Sequence, residues 1–215
     1  LNWYLDQYTK TKTEEAKISK ENSNNTNSPV LAPVIPPTMQ ALPVPDMEKL
    51  AKEYEAIPLS MFKDGFSHAR FHNKDNKPEY EVYNERQIAG IAENMISWQC
   101  KDGGWSKNID FARIQTAEQW ASPRFQGGFR QGSTLDNGNV YTQIQYLALV
   151  YKQIPDPRYV DSMTKALNWI FNAQNPKSGG FRGADVDAIT FNDEVMSGVL
   201  KLFRSIADDD DLYGF

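Results

Sequence analysis

Two short segments of the sequence combine a carboxylate with an amide where a helix is predicted to begin. The first reads Thr-Leu-Asp-Asn at 134–137, and the second reads Thr-Phe-Asn-Asp at 190–193. Asp and Asn at helix starts cap free backbone N–H groups, and their oxygens are also ligands that hard cations prefer. Two interpretations stay open: capping alone, or a pair of carboxylates, Asp136 and Asp193, that together hold a cation.

The composition narrows the kind of cation and partner. With two His and one Cys, a zinc site built from these ligands is not expected, and Cys100 alone cannot form an intramolecular disulfide. The formal net charge of −5 argues against a nucleic-acid partner or an anionic membrane surface. No apolar run reaches about 18 residues, so no membrane span is predicted. An acidic chain that binds an acidic polymer needs local cations, supplied by Lys and Arg or by a bound metal.

Two Gly-Gly-aromatic turns form a second set of candidate residues, ending in Trp105 and Phe181. Such glycines often only stop a helix, but they also permit close approach of a sugar chain, with the aromatic ring as a stacking platform. Lys107 and Asn108 follow the first turn and are either solvated or substrate-binding. Three arginines in the irregular stretches could bind uronate carboxylates in a bidentate manner. They are Arg124, Arg130 and Arg182.

Apolar residues recur at helical spacing in the segments that must position these residues. Helices are predicted over 84–99, 137–152, 158–173 and 192–207, and the residues at 105–135 are predicted to form a long loop. Asp46 is predicted to cap a helix that carries Leu50, Tyr54 and Ile57. No segment alternates as a strand does, so the predicted fold class is all-α.

The chain divides near Asp46 into two predicted regions. Residues 1–45 combine a short helix with an Asn- and Pro-rich linker or arm, because such a composition does not support a packed core. Residues 46–215 contain an internal repeat of two helical hairpins with the same turn chemistry. We therefore expect a toroid-like array of antiparallel helix pairs, truncated because a third repeat is missing.

Four motifs in these regions resemble those of the family-ten pectate lyases. Gly-Gly-Trp-Ser-Lys-Asn at 103–108 is similar to the family's Gly-Gly-Trp-Pro-Lys-Asn, and Thr-Leu-Asp-Asn-Gly at 134–138 to its Thr-x-Asp-Asn-Gly. Ala-Gln at 173–174 with Gly-Gly-Phe at 179–181 resembles Ala-Gln-Tyr-Pro-x-Gly-Gly-Trp. Asp-Ala-Ile-Thr-Phe-Asn-Asp at 187–193 resembles Asp-His-Ile-Thr-Phe-Asn-Asp. The resemblance runs from about Ile88 to Ala207.

The resemblance implies an (α/α) toroid of three repeats and calcium-dependent cleavage of polygalacturonate, or pectate, by β-elimination in a secreted, periplasmic or cell-surface enzyme. Asp136 and Asp193 would be the catalytic carboxylates at the calcium site. Positions expected to contact substrate are Trp105, Lys107, Asn108, Asn137, Arg182, Thr190 and Asn192. The family's arginine base matches no residue of this chain and is expected beyond Phe215, so a complementing C-terminal half or partner chain is also expected.

Two alternatives compete with this interpretation. The chain is either a non-catalytic uronate-binding or assembly module derived from the lyase fold, which would agree with Ala188 in place of the family's His, or another α-toroid carbohydrate enzyme. In the latter case Asp136 and Asp193 would act as acid and base. The order of the motifs argues against this last alternative.

Overall fold

The computed structural model describes residues 44–62, Phe66, Ala69, 80–121, 132–183 and 188–214. All of them belong to one compact unit, Ala41–Phe215. The predicted N-terminal helix and Asn/Pro-rich arm, and also Arg124 and Arg130, lie outside the described residues. The predicted domain boundary at Asp46 therefore stays a prediction.

The described residues form helices joined by turns, with one isolated bridge between Val82 and Arg113, so the all-α prediction is confirmed for this part of the chain. The helices are α1 (Met47–Ala51), α2 (Ile88–Trp98), α3 (Ala117–Trp120), α4 (Tyr141–Gln153), α5 (Pro157–Ala173), α6 (Val195–Asp208) and α7 (Asp210–Tyr213). The four predicted long helices correspond to α2, α4, α5 and α6. None of the described helices combines the length and apolar character needed to cross a bilayer.

Asp46 caps α1, as predicted, but the helix is shorter than expected. The Asp46 side chain accepts hydrogen bonds from the N–H groups of Glu48 and Lys49, and the helix ends at Ala51. Tyr54 and Ile57 lie beyond it, so their predicted helical positions are wrong. The reason is tertiary: their N–H groups donate to the carbonyls of Arg86 and Glu85, both at 2.9 Å, which favours an extended backbone.

Helix α4 lies at the centre of the fold and packs against α2, α5 and α6. Its side chains Ile144, Tyr146 and Leu147 are fully buried. Helix α6 approaches α4 closely because Gly198 has no side chain: a Cβ there would overlap the Tyr141 ring. The packing thus joins the second helices of the two hairpins through one glycine.

An ion-pair cluster also joins the two hairpins. Arg158, at the start of α5, donates to both carboxylate oxygens of Glu93 on α2 at 2.9 and 3.1 Å and to Asp156 at 2.7 Å. Asp156 caps α5 by accepting from the Arg158 N–H at 2.9 Å. The hydrogen bond from the Arg158 guanidinium lowers the pKa of the Asp156 carboxyl. This cluster links the start of α5 to α2.

Candidate functional site

The two Gly-Gly turns close with the same hydrogen bonds. In each turn, the side chain of the Gln that follows the helix donates to the carbonyl of the first glycine. The backbone N–H of the residue after this Gln donates to the carbonyl of the second glycine. The bonds are Gln99 Nε2 to Gly103 O (2.7 Å), Cys100 N to Gly104 O (2.8 Å), Gln174 Nε2 to Gly179 O (2.8 Å) and Asn175 N to Gly180 O (2.9 Å). Gly103 and Gly179 have φ values of 102° and 70°, a region that favours glycine. The predicted internal repeat is therefore confirmed.

The aromatic residue after each turn is a core residue. Trp105 is 0 % exposed and Phe181 is 2 % exposed, and the Trp105 indole N–H donates to the Met95 carbonyl at 2.7 Å. Their carbonyls accept from Thr134 N–H (3.2 Å) and Thr190 N–H (3.0 Å). The stacking role predicted for these two rings is thus wrong for this structure, because neither has a face open to a sugar. They instead anchor the returning chain.

The returning chain enters a 3-10 turn in both repeats, Asp136–Gly138 and Asn192–Glu194. The second residue of each turn is left-handed: Asn137 has φ 57° and Asp193 has φ 52°. Asn and Asp tolerate this conformation better than most residues do. The backbone therefore pairs Asp136 with Asn192 and Asn137 with Asp193, so the carboxylate and the amide exchange places between the repeats.

The carboxylate of the first turn is buried and paired. Asp136 is 5 % exposed, and its Oδ2 accepts from Lys107 Nζ at 2.5 Å. The Asp136 N–H donates to Thr134 Oγ1 at 3.2 Å. A buried carboxylate needs such partners, because removing a charge from water is costly unless it is compensated. Lys107 and Asp136 come from two different motifs, and the fold brings them together.

The amide of the first turn also has a partner from the Gly-Gly motif. Asn137 Nδ2 donates to Asn108 Oδ1 at 2.8 Å, and Asn137 is 8 % exposed. Asn108 also has a left-handed backbone, with φ 63°. Lys107–Asp136 and Asn108–Asn137 are thus two parallel links between the same pair of segments.

Helix α4 begins through a strained turn that the sequence analysis did not single out. Val140 has φ 68° and ψ −57°, and the Tyr141 N–H donates to the Asn139 carbonyl at 2.9 Å, which makes a γ-turn of the rare positive-φ kind. A positive φ is unfavourable for a β-branched residue. Such strain persists only where surrounding contacts hold it.

Asn139 supplies those contacts. Its Nδ2 donates to the carbonyls of Trp105 and Thr134, the latter at 2.9 Å, and its Oδ1 accepts from Gln143 Nε2 at 3.0 Å. Asn139 and Gln143 are both buried. The only sequence signal for this role was the position of Asn139 directly after the Asp-Asn-Gly motif.

The two repeats meet at Gly183. By the order of residues after the Gly-Gly turns, Gly183 is the counterpart of Lys107. A Cβ at Gly183 would lie 3.2 Å from Asp136 Oδ1 and 3.4 Å from Thr190 Cγ2. The Gly183 N–H donates to Thr190 Oγ1 at 2.9 Å. Asp136 is therefore flanked by the Lys107 ammonium at one oxygen and by the second repeat at the other.

The turn of the second repeat is open to solvent. Asn192 and Asp193 are exposed, and Asn192 Nδ2 donates to Asp193 Oδ2 at 2.7 Å. Arg182 is exposed and Thr190 is half-buried. The Asp193 carbonyl lies 3.5 Å from the Tyr141 hydroxyl, which donates to it. This contact ties the exposed turn to the first repeat.

The donor chemistry suits a hard cation only in part. Within the described ranges, no three His, Cys, Asp or Glu side chains gather as a metal-binding group. The carboxylate and amide oxygens of Asp136, Asn137, Asn192 and Asp193 are the ligand type that calcium takes. Calcium needs roughly six to eight oxygens, so these residues would be a partial shell that substrate and water complete.

The structure thus defines an all-α protein with two helical hairpins that bring a Lys–Asp pair and a second, exposed carboxylate turn together. A family model described as pectic acid lyase matches residues 99–213, which include all four motif segments. This chain belongs to the pectic acid lyase family.

Two solved structures are similar to the chain. The family 10 polysaccharide lyase from Cellvibrio cellulosa is 24 % identical, with a TM-score of 0.48 and coverage of 74 % of this chain and 45 % of that one. A mutant of that lyase in complex with trigalacturonic acid is 22 % identical, with a TM-score of 0.47 and coverage of 75 % and 45 %. This chain therefore spans less than half the length of these structures. No curated protein matches it.

Proposed function

We propose that this chain is a calcium-dependent pectate lyase domain that binds polygalacturonate between its two repeats. The observation that carries the proposal is the convergence of the four motif segments. Lys107 bonds Asp136, Gly183 borders Asp136 Oδ1, and Thr190 bonds the segment that contains Gly183. Residues far apart in sequence thus form one polar site.

In this proposal Asp136 and Asp193 contribute carboxylate oxygens to the cation. Bound calcium would neutralise the uronate carboxylate and stabilise the negative charge that develops when the adjacent C5 proton leaves. Lys107 would pair with the buried Asp136 side chain and lie next to the substrate carboxylate. The resemblance implies an arginine base, and no arginine of this chain occupies that position of the motifs.

The remaining site residues would hold the polymer. Arg182 is exposed and suited to a bidentate bond with a uronate carboxylate. Asn108 and Asn137 form one amide pair, and Thr190 and Asn192 lie at the exposed turn. The substrate class also implies that the protein acts outside the cell, in the breakdown of pectin. A complementing segment or partner chain would complete the toroid.

Binding is tested first, because it does not depend on the base. Titration calorimetry with trigalacturonate should show binding in calcium and a loss of at least about tenfold in chelator. Asp136→Asn and Asp193→Asn should each weaken it, whereas Asp161→Asn, on the outer surface of α5, should not. Equal affinity with and without calcium would contradict the proposal.

Cleavage separates the lyase from its alternative, a uronate-binding or assembly module that does not cleave. Polygalacturonate is incubated with the protein and calcium, and the ultraviolet absorbance of unsaturated ends is followed. A rise that chelator and Asp136→Ala abolish indicates a lyase. Calcium-dependent binding without any rise favours the binding module or the need for a complementing chain. Ala188, where the family's motif has His, is the observation that keeps this second function open.

A further inference from the structure

The second turn carries an aromatic residue that none of the predicted site positions includes. Phe191 is 78 % exposed, more than any other large apolar residue in the described part of the chain. Its counterpart in the first repeat, Leu135, is 1 % exposed. The equivalent backbone position thus carries a core side chain in one repeat and an open ring in the other.

The backbone around Phe191 is held in place. Thr190 N–H donates to the Phe181 carbonyl at 3.0 Å, and Gly183 N–H donates to Thr190 Oγ1 at 2.9 Å. Ile189 packs over Gly180, where a Cβ would come within 2.6 Å of Ile189 Cγ1. The exposed ring therefore extends from an anchored segment, which lowers the entropy lost when it binds a ligand.

The residues next to Phe191 on its C-terminal side are polar. It lies between Thr190 and Asn192 in the chain, and Asp193 follows. Arg182 lies between Phe181 and Gly183, the two residues that bond Thr190. A protein-docking surface has an apolar centre with a polar rim, whereas here a single exposed ring is followed in the chain by an amide and a carboxylate, and the segment bonded to Thr190 carries a guanidinium. That combination suits a ligand with an apolar face and anionic edges.

We propose that Phe191 stacks on the apolar C–H face of a uronate ring while Arg182 binds its carboxylate, so that the exposed turn forms a sugar-binding subsite beside Asp193. This inference rests on the proposed function, since the sugar is the uronate unit of the same polymer. It replaces the stacking role once expected of Trp105 and Phe181. The Phe191 ring would recognise the flat C–H face of the sugar, and the Arg182 guanidinium would favour sugars that carry a carboxylate.

The test is titration calorimetry of the purified chain with trigalacturonate and calcium. Phe191→Ala should weaken binding about tenfold, while Phe191→Tyr, which keeps the ring, should stay within about twofold. Leu200→Ala is the matched control, because Leu200 is also an exposed apolar residue, 55 % exposed, but lies on α6. The affinity of Leu200→Ala for trigalacturonate should equal that of the wild type. The melting temperatures of all three variants should match the wild type, because the replaced side chains are exposed.

Salt separates the two parts of the subsite. The loss caused by Arg182→Gln should shrink at high ionic strength because charge interactions are screened, whereas the loss caused by Phe191→Ala should persist. If Phe191→Ala binds like the wild type while Asp136→Asn does not, the subsite is wrong and the proposed function stands. A ring that serves a protein contact gives that same result. If the wild type itself does not bind trigalacturonate, both proposals fall.

Discussion

The polar turn of the first repeat and that of the second share a backbone but differ in their surroundings. Around Asp136–Gly138, Leu135, Asp136 and Asn137 are buried and bonded to the preceding loop. Around Asn192–Glu194, the residues from Phe191 to Glu194 are exposed. The same hydrogen-bonded frame thus supports a closed, charge-compensated site and an open one. The first turn is therefore fixed by its contacts, and in the proposed function the second turn would be the side from which the polymer approaches.

A second difference lies in how each helix begins. Helix α6 starts directly after Glu194, whereas α4 starts two residues later than its turn, after Asn139 and the strained Val140. Of these two residues, Asn139 donates the hydrogen bonds to the carbonyls of Trp105 and Thr134. In the first repeat, the buried side chain of Asn139 therefore supports the segment between the turn and the helix. The second repeat has no equivalent residue, because α6 follows its turn directly.

The largest expected effect comes from breaking the junction between the repeats. Gly198→Ala places a Cβ inside the Tyr141 ring, and both helices must move to accommodate it. We expect the free energy of unfolding to fall by about 3 kcal/mol, as for severe overpacking. Urea denaturation measures this value. Ser197→Ala, an exposed neighbour on α6, should leave it unchanged; equal stability of the two variants would show that α4 and α6 do not pack through Gly198.

The next largest effect is expected from removing the hydrogen bonds of Asn139 in the first repeat. Asn139→Ala removes the partners of two carbonyls and of Gln143. Unsatisfied buried polar groups cost about 1 to 3 kcal/mol, so we expect a loss of about 2 kcal/mol in urea denaturation. Asn192→Ala, in the exposed turn, should change stability by less than about 0.5 kcal/mol. Similar losses for both variants would remove the distinction between the two turns.

A smaller loss is expected from the ion pair in the first turn. Lys107→Met leaves the Asp136 carboxylate, 6 % exposed as a side chain, without its ammonium partner. Because Lys107 is itself partly exposed, we expect a loss of about 1 to 2 kcal/mol rather than the full cost of a buried pair. A double-mutant cycle with Asp136→Asn measures the coupling. Coupling near zero would mean that the pair contributes nothing to stability.

Asp193→Asn is the control for that cycle. The Asp193 side chain is in the exposed turn, so its removal should cost less than about 0.5 kcal/mol. It should nevertheless weaken calcium-dependent binding. We therefore expect Asp136→Asn to lower both stability and calcium-dependent binding, and Asp193→Asn to lower binding alone. That result would sharpen the comparison of the two turns.

The smallest effect concerns the cluster that joins α5 to α2. Asp156→Asn keeps a capping side chain but removes the charge paired with Arg158. We expect a loss of about 0.5 to 1 kcal/mol at neutral pH. The pKa of Asp156 is lowered in the folded state by the Arg158 hydrogen bond, so its contribution is present above the unfolded pKa and is lost as the pH falls through the folded pKa.

Urea denaturation of wild type and Asp156→Asn at a series of pH values measures this dependence. The difference in stability should be constant from neutral pH down to about 5 and then shrink in acid. Asp161→Asn, whose partner Lys165 lies on the same exposed helix surface, is the control and should differ little from wild type. A difference that grows in acid would contradict the sign of the shift.

Much of the helical framework could be predicted from local pattern. The spacing of Ile88, Ile91 and Met95 predicted α2, and all three are fully buried. The Gly-Gly turns were predicted from their glycines, which the positive φ values of Gly103 and Gly179 explain. The helix after Asp46 was overextended because its end depends on bonds from Tyr54 and Ile57 to a distant turn, and no local signal records such partners.

Sequence by itself determined the helix-forming segments, the repeated turn chemistry and the family to which the chain belongs. Tertiary structure decided which turn is buried, that Lys107 pairs with Asp136, that Trp105 is a core residue and that Phe191 is exposed. The physical reason is that periodicity and turn residues act within a few residues of the backbone. Burial and ion pairing depend instead on which distant segment covers a position, and two turns of similar sequence carry no information about that.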